Sequence, residues 1–156
     1  MELRVLALYP EQMNIYADRG NILFLRRRCE WRGIGFEYRA AGSGEAVDPA
    51  AHDLFYIGGG QDRDQRAVAA DMAASKRDAL ASAVEDGAVM LAVCGGYQLL
   101  GHSYQLGEER LPGLGLADLE TVEAEAIEAG FAPAERREVP PTDSHVGSIV
   151  ALLEVA

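Results

Sequence analysis

The amino-acid sequence predicts an α/β fold with a mainly parallel sheet, and three observations support this prediction. Short apolar segments alternate with segments of helical length and pattern as far as Leu100. The run Val89–Val93 is continuously apolar, which is typical of a strand buried on both faces of a parallel sheet. Glycine-rich sequences follow two of the predicted strands at their carboxyl ends, where α/β folds bind ligands.

The first predicted elements are a strand and an amphipathic helix. The strand Leu3–Leu8 ends before Pro10, because proline lacks the N–H that a ladder needs. A helix is expected over Ile22–Arg32, with Asp18 or Asn21 as its N-cap. Its apolar positions share one face and are expected to include a buried cysteine, whereas its arginine run forms a solvated face. The apolar positions are Ile22, Leu25 and Cys29, and the arginines are Arg26, Arg27 and Arg28.

The central part of the chain adds two short strands and two helices. The predicted strands are Gly35–Arg39 and Asp53–Ile57, separated by a loop rich in glycine, alanine and proline. The predicted helices are Arg66–Met72 and Ser75–Glu85, and Gly87 ends the second. The chain then enters the apolar strand Val89–Val93.

A nucleophile elbow is predicted at the end of that strand. Cys94 follows the strand directly, Gly95 and Gly96 permit a sharp turn, and a helical sequence begins at Tyr97. Such a turn exposes the side chain at its apex and aims the next N–H group at the same point. A helix N-terminus also favours the thiolate form of a cysteine. A buried core cysteine beside a chance glycine pair is the plainer alternative.

A glycine run after the strand Asp53–Ile57 is the second candidate site element. Gly58-Gly59-Gly60-Gln61 allows the backbone to approach a ligand and present N–H groups to it, although a flexible turn would look the same. Neither the dinucleotide pattern nor a Walker-type lysine is present, so a nucleotide site is weakly supported. Because the carboxyl ends of parallel strands share one edge, the loop at Pro10, the glycine run and Cys94 are expected to converge.

The remainder of the chain is less informative. The segment Gly101–Leu119 is rich in glycine and suits short strands and turns. From Val122 glutamate and alanine dominate, and prolines interrupt the sequence further on. The last apolar stretch, Ile149–Val155, suits either a strand or a helix. We therefore expect an α/β domain over 1–121 and a divergent tail over 122–156.

Composition excludes several classes of function. The chain has 156 residues and a net charge of −11, which argues against a nucleic-acid surface and against anionic membranes. Two cysteines imply no disulfide framework. No apolar run approaches the length of a membrane span or a signal peptide, so a cytoplasmic protein is expected. No metal-binding cluster is expected.

Four motifs resemble one known family. They are LYPEQMNIYADRGN near the N-terminus, YIGGGQDRDQ after the third strand, AVCGGYQLLGHSY at the elbow and LPGLGLADLET beyond it. In this order they resemble the cobyric-acid-synthase-like class I glutamine amidotransferases, and specifically the glutaminase subunits of lipid II isoglutaminyl synthases. The resemblance covers Met1 to about Thr121 and implies a three-layer, flavodoxin-like fold whose C-terminal part is truncated or divergent here.

The resemblance also implies roles for individual residues. Cys94 matches the nucleophile, and Gly95 with Gly59 or Gly60 matches the donors of the oxyanion hole. Gln61 and Gln98 stand where relatives line the glutamine pocket. In the first motif Asn14, Asp18 and Asn21 belong to the family signature, and a structural role in the loop is expected for them.

The implied activity is hydrolysis of L-glutamine to supply ammonia. In this family the glutaminase pairs with a Mur-ligase-like subunit, which uses ATP and magnesium to activate D-glutamate in the stem peptide of lipid II. The ammonia converts that residue to D-isoglutamine during peptidoglycan synthesis. The chain itself is expected to carry no cofactor, to form a heterodimer and to reach lipid II through its partner.

One departure from the family concerns the catalytic histidine. Relatives bring it late, in a Gly-Thr-Tyr-x-His-Gly-Pro context that this sequence lacks. His52 is expected in a surface loop, His102 at the end of the elbow helix, and His145 has no family context. The alternatives are therefore an active glutaminase subunit, a non-catalytic subunit that keeps only the partner interface, and another cysteine-elbow hydrolase. The third is the weakest, because Ala92 replaces the first glycine of the usual hydrolase elbow.

Overall fold

Twelve helices and strands are assigned in the computed structural model, which describes residues 1–15, 18–106, 108–121 and 149–152. The strands are β1 (Glu2–Leu8), β2 (Gly35–Ala41), β3 (Leu54–Ile57), β4 (Val89–Val93), β5 (Ser103–Leu106), β6 (Glu109–Pro112), β7 (Glu120–Thr121) and β8 (Ile149–Leu152). The helices are α1 (Asp18–Glu30), α2 (Asp62–Ser75), α3 (Arg77–Glu85) and α4 (Gly95–Leu100).

A parallel five-stranded sheet lies at the centre, in the order β2-β1-β3-β4-β8. The predicted parallel α/β fold is therefore confirmed. The final apolar stretch contributes a strand, β8, that pairs with β4, the predicted apolar strand. A second sheet, in the order β6-β5-β7, follows the elbow helix and matches the short strands expected there.

The core packs on the central strands, as the apolar runs of the sequence require. Phe55 and Ile57 of β3 and Met90 and Ala92 of β4 are completely buried, so these two strands are covered on the face that they share. Helices α2 and α3 contribute Val68, Met72 and Leu80 to the same cluster. This rigid centre fixes the positions of the loops that leave the carboxyl ends of β3 and β4.

Helix α1 differs from its prediction at both ends. It begins at Asp18 instead of Ile22, and the Asn14 side chain accepts a hydrogen bond from the Arg19 N–H at 3.3 Å. Asn21 therefore lies within the helix, where its Nδ2 donates to the hydroxyl of Tyr56 at 2.9 Å. The expectation that Asn21 is the N-cap was wrong, because its amide bonds across to β3 instead of to the backbone of its own helix.

The two faces of α1 agree with the sequence. Cys29 is buried, at 8% exposure, and the three consecutive arginines are exposed. The helix ends at Glu30, and the turn that follows uses Gly33 at φ +66°. The arginines also cover aromatic rings, since the guanidinium of Arg28 lies 5.7 Å from the ring centre of Phe24.

Helix α2 starts four residues earlier than predicted. The glycine run passes directly into it, with Gln61 as the N-cap residue in an extended conformation. The break between α2 and α3 is confined to Lys76. Because α2 begins so close to the glycine run, side chains of its first turns reach the loop that precedes it.

A buried ionic cluster anchors the loop after β1 to α2. Tyr9 has φ +50°, is fully buried and donates its hydroxyl to Asp71 Oδ2 at 2.6 Å. The Lys76 ammonium, whose side chain is completely buried, donates to the same oxygen at 2.7 Å and lies 4.9 Å from the centre of the Tyr9 ring. The Gly44 N–H donates to Asp71 Oδ1 at 3.0 Å. The Asp71 carboxylate is therefore hydrogen-bonded to three segments of the chain, which contain Tyr9, Gly44 and Lys76.

Candidate active site

Cys94 occupies the sharp turn between β4 and α4. Its backbone has φ +50° and ψ −119°, a conformation that costs a residue with a side chain of order 1–3 kcal/mol. The Tyr97 N–H donates to the Cys94 carbonyl at 2.9 Å, which closes the turn into the helix. Cys94 is partly exposed, in contrast to the buried Cys29. The predicted elbow is therefore present, with its cysteine at the apex.

The elbow approaches the glycine run so closely that only glycine fits at position 96. A Cβ placed on Gly96 would lie 2.6 Å from the Gly58 carbonyl oxygen and 2.8 Å from that of Ile57. Both are backbone atoms, which cannot yield as a flexible side chain could. Gly96 is thus the contact that brings the start of α4 against the end of β3.

The glycine run turns its carbonyls toward the surrounding structure. Gly58, Gly59 and Gly60 are all buried, and the Gly59 carbonyl accepts a hydrogen bond from the Ile15 N–H at 3.2 Å. Because a peptide unit is planar and trans, the Gly60 N–H points away from Ile15. The Gly58 carbonyl faces Gly96, so the Gly59 N–H points away from the elbow. Of the two predicted donors in this loop, the geometry therefore favours Gly60.

The loop after β1 completes the convergence that the sequence predicts. Met13 is buried beside Gly60, and the backbone of Ile15 holds Gly59. Since β1, β3 and β4 are neighbours in the sheet, three loops meet at one edge. The expected structural role of Asn14 agrees with this arrangement, since its side chain bonds the start of α1.

The two glutamines that the resemblance assigns to a substrate pocket belong to the segments that follow β3 and β4. Gln61 is exposed at the start of α2, and its side chain makes no cap hydrogen bond. Gln98 is half-buried in α4. Gly95, the first residue of α4, is buried, and its N–H has no carbonyl partner within the helix. These positions are compatible with the predicted roles of the three residues.

Neither described histidine lies beside Cys94. His52 precedes β3, at the opposite edge of the sheet, and its half-buried ring packs edge-on to Phe55 at 5.8 Å. His102 follows α4, whose six residues carry the chain about 9 Å from the elbow, and its Nε2 lies 3.1 Å from Asp118 Oδ1. His102 thus ends the elbow helix as expected, and His52 is more enclosed than a surface loop residue. His145 lies outside the described residues.

Gln65 was missed by the sequence analysis. It is 5% exposed and lies in the first turns of α2, where its Nε2 donates to the Gly60 carbonyl at 2.8 Å. A glutamine among charged residues at the start of a helix is usually a solvated side chain. The only signal in the sequence was the short distance along the chain from the glycine run to Gln65. A helix that begins at Asp62 brings a side chain at this distance back onto the run.

The described part of the chain has neither a metal-binding cluster nor a helix suited to spanning a membrane. No three histidine, cysteine or acidic side chains there lie close enough together to hold a metal ion. None of the helices in the same ranges has both the length and the apolar character that crossing a membrane requires.

Comparisons with known proteins identify relatives of this chain. Residues 4–133 match the family described as the CobB/CobQ-like glutamine amidotransferase domain. The lipid II isoglutaminyl synthase (glutamine-hydrolyzing) subunit GatD of Staphylococcus aureus (strain N315) is 37% identical over 121 residues, which are 77% of this chain and 49% of that protein. The subunit of the same name from Streptococcus pneumoniae (strain ATCC BAA-255 / R6) is 35% identical over 116 residues, 74% of this chain and 44% of that protein.

The chain thus spans about half the length of the curated relatives it matches. Among solved structures, PurLQS from Thermotoga maritima aligns with a TM-score of 0.45 and 21% identity, covering 64% of this chain and 43% of that chain.

Proposed function

This chain belongs to the CobB/CobQ-like glutamine amidotransferase domain family, and from that premise we propose that Cys94 is the nucleophile of a glutaminase. The observation that carries the proposal is the elbow itself. A cysteine in a strained turn, at the edge where three loops meet, is partly exposed beside backbone N–H groups. A buried core cysteine, the plainer alternative, needs none of these features.

The proposed chemistry uses the elbow and the glycine run together. The Cys94 thiolate attacks the side-chain amide carbon of L-glutamine, and the N–H groups of Gly95 and Gly60 donate to the oxyanion that forms. The C–N bond then breaks as the nitrogen takes a proton and leaves as ammonia. Water hydrolyses the glutamyl thioester to glutamate and restores the thiol. Gln61 and Gln98 would line the glutamine pocket at the same edge.

The proton for departing ammonia has to come from another group. General acid–base catalysis typically contributes about 100- to 10,000-fold, and neither His52 nor His102 is placed to provide it. We therefore propose that ammonia release from this chain is slow, because it lacks the histidine that relatives place in their Gly-Thr-Tyr-x-His-Gly-Pro context. Without a general acid, the thiolate and the oxyanion donors cannot release ammonia from an amide. They can still form a thioester from an ester whose leaving group departs without a proton.

The names of the relatives suggest where the ammonia goes. We propose that this chain is the glutamine-hydrolysing part of a lipid II isoglutaminyl synthase, as the two GatD proteins are named. A Mur-ligase-like partner, with ATP and magnesium, would activate the D-glutamate of lipid II for attack by ammonia. The reaction would take place in the cytoplasm, and direct docking of the two subunits would prevent loss of ammonia to water.

A second candidate function is a non-catalytic subunit that keeps the partner interface. The observation that favours it is the position of the two described histidines, neither of which lies beside the elbow. Both candidates predict a stable complex with the ligase subunit. They differ in whether glutamine is hydrolysed within that complex.

Glutamine-dependent ammonia release by the purified complex with the ligase subunit tests the proposal. For the 156-residue chain we expect ammonia release about 100-fold or more below that of an extended chain. In the extended chain, Thr121 is followed by the C-terminal half of the Staphylococcus aureus GatD protein. Cys94→Ala in the extended chain should abolish it. A folded, extended complex without ammonia release would refute the glutaminase. The 156-residue chain could instead release ammonia rapidly, and His145→Ala could abolish that release. His145 would then be the general acid, and the expectation of slow release would be wrong.

A further inference from the structure

Gln65 joins the two halves of the candidate active site. Its Nε2 donates to the Gly60 carbonyl at 2.8 Å, and its own backbone N–H bonds to Gln61 at 2.8 Å as α2 begins. On its other side the same amide lies against Gly95 of the elbow. A Cβ placed on Gly95 would collide with Nε2 and would lie 2.7 Å from Cδ of Gln65. One side chain therefore contacts both proposed oxyanion donors.

A run of three glycines needs such an external restraint. Glycine adopts more backbone conformations than any other residue, so the N–H groups of this loop have no intrinsic direction. The Gly59 carbonyl is held by Ile15, and the Gly60 carbonyl is held by Gln65. With a hydrogen bond on each flanking peptide unit, the backbone of Gly60 is fixed, and its N–H has one direction.

The amide is a poor choice for stability alone. Gln65 Oε1 is buried and has no hydrogen-bond partner among the residues that the structure describes. A buried acceptor without a partner loses its bond to water and gains nothing in return. A leucine of similar size would remove the unpartnered oxygen at this 5% exposed site, although the Gly60 carbonyl would then lose its donor. The hydrogen bond to Gly60 is what a leucine could not replace.

We propose that Gln65 is a positioning residue that holds the Gly60 peptide against the elbow, so that the N–H groups of Gly60 and Gly95 face one oxyanion. The inference rests on the proposed function, in which that oxyanion forms on glutamine. It goes beyond that function in assigning a residue that acts through the backbone of Gly60.

The test compares two reactions of the same thiol. The reaction with p-nitrophenyl acetate passes through a tetrahedral oxyanion, and its leaving group departs without a proton donor, so no histidine is required. Alkylation by iodoacetamide displaces iodide directly and forms no oxyanion. The ratio of the two rate constants therefore reports the oxyanion hole, independent of the amount of thiolate. Glutamine turnover is not needed for either measurement.

Gln65→Leu should lower this ratio about 10- to 100-fold. The thermal unfolding midpoint should change little, because loss of the bond to Gly60 is offset by removal of the unpartnered Oε1. Ala67→Leu, which adds the same side chain on the exposed face of α2, should leave both rates within about twofold. An unchanged ratio in folded Gln65→Leu would overturn the inference. This includes the case in which both rates fall by the same factor, because that result would show general damage to the elbow.

Gln65→Glu provides an independent test should the leucine variant fold poorly. A protonated carboxyl can donate to the Gly60 carbonyl as the amide does, whereas an ionised one repels it. The ratio should therefore fall as pH rises in this variant and stay level in the parent chain; a level ratio in both would overturn the inference. A lowered ratio in a protein that never hydrolyses glutamine would leave this inference intact and refute only the proposed function.

Discussion

Cys94→Ala should lower the rate of p-nitrophenolate release from p-nitrophenyl acetate at least about 1,000-fold. Removal of the nucleophile leaves only the oxyanion donors, which can bind the ester but cannot attack it. The loss should be larger than that of any other single substitution, because every later step passes through the thioester. Stopped-flow absorbance of p-nitrophenolate, with one turnover of enzyme, gives the rate constant directly.

The second cysteine of the chain provides the matched control. Cys29 is a buried residue of α1, far along the chain from the elbow, so Cys29→Ala should keep the rate within about twofold. The account would be contradicted if both variants, correctly folded, released p-nitrophenolate at the parental rate. In that case another nucleophile would be responsible, and the elbow would be only a structural turn.

Asp71→Ala should have the largest effect on stability, about 3 kcal/mol or more of the free energy of unfolding. The substitution leaves the fully buried Lys76 ammonium without its carboxylate and the Tyr9 hydroxyl without its acceptor. Breaking a buried ion pair by removing one partner typically costs about 3–5 kcal/mol. Urea denaturation followed by circular dichroism measures the loss. Asp86→Ala, at an exposed helix end, should change stability by less than about 0.5 kcal/mol.

The same cluster makes stability depend on pH. Desolvation raises the pKa of Asp71, but hydrogen bonds from Lys76 and Tyr9 outweigh it and hold that pKa below its ordinary value. A carboxyl whose folded pKa is depressed stabilises the fold fully above its unfolded pKa. That contribution is lost as pH falls through the lowered folded value. In Asp71→Asn this acid-dependent loss should therefore be smaller than in the parent chain; an equal loss would show that other carboxylates cause it.

The sequence was sufficient to predict the sheet and its loops, because hydrophobic runs and glycines are local signals. Val89–Val93 was predicted with its observed bounds, and the first strand with an error of one residue. The start of α1 was wrong because it depends on the Asn14 side chain and on a bond from Asn21 to Tyr56 across the sheet. Contacts between distant segments leave no periodic pattern.

The candidate site shows the same division between local and distant information. The elbow at Cys94 could be predicted, because strand, glycines and helix are adjacent in sequence. The preference for Gly60 over Gly59 as the proposed oxyanion donor could not be predicted, since it depends on which carbonyl Ile15 holds. Gln65 was missed because its contact with Gly95 exists only after β3 and β4 pair. The sequence thus identifies the chemical groups, whereas the fold determines their directions.

Covalent labelling with the diazoketone analogue of L-glutamine tests the central claim most directly, namely that Cys94 attacks glutamine at this edge of the sheet. The reagent alkylates a thiol only where a glutamine-shaped pocket presents it. Its diazo carbon takes a proton from water, and the thiolate then displaces dinitrogen. Intact mass and peptide mapping should show one label, on Cys94, that excess L-glutamine prevents and D-glutamine does not. Labelling that L-glutamine fails to prevent, or a label on Cys29 alone, would contradict the account.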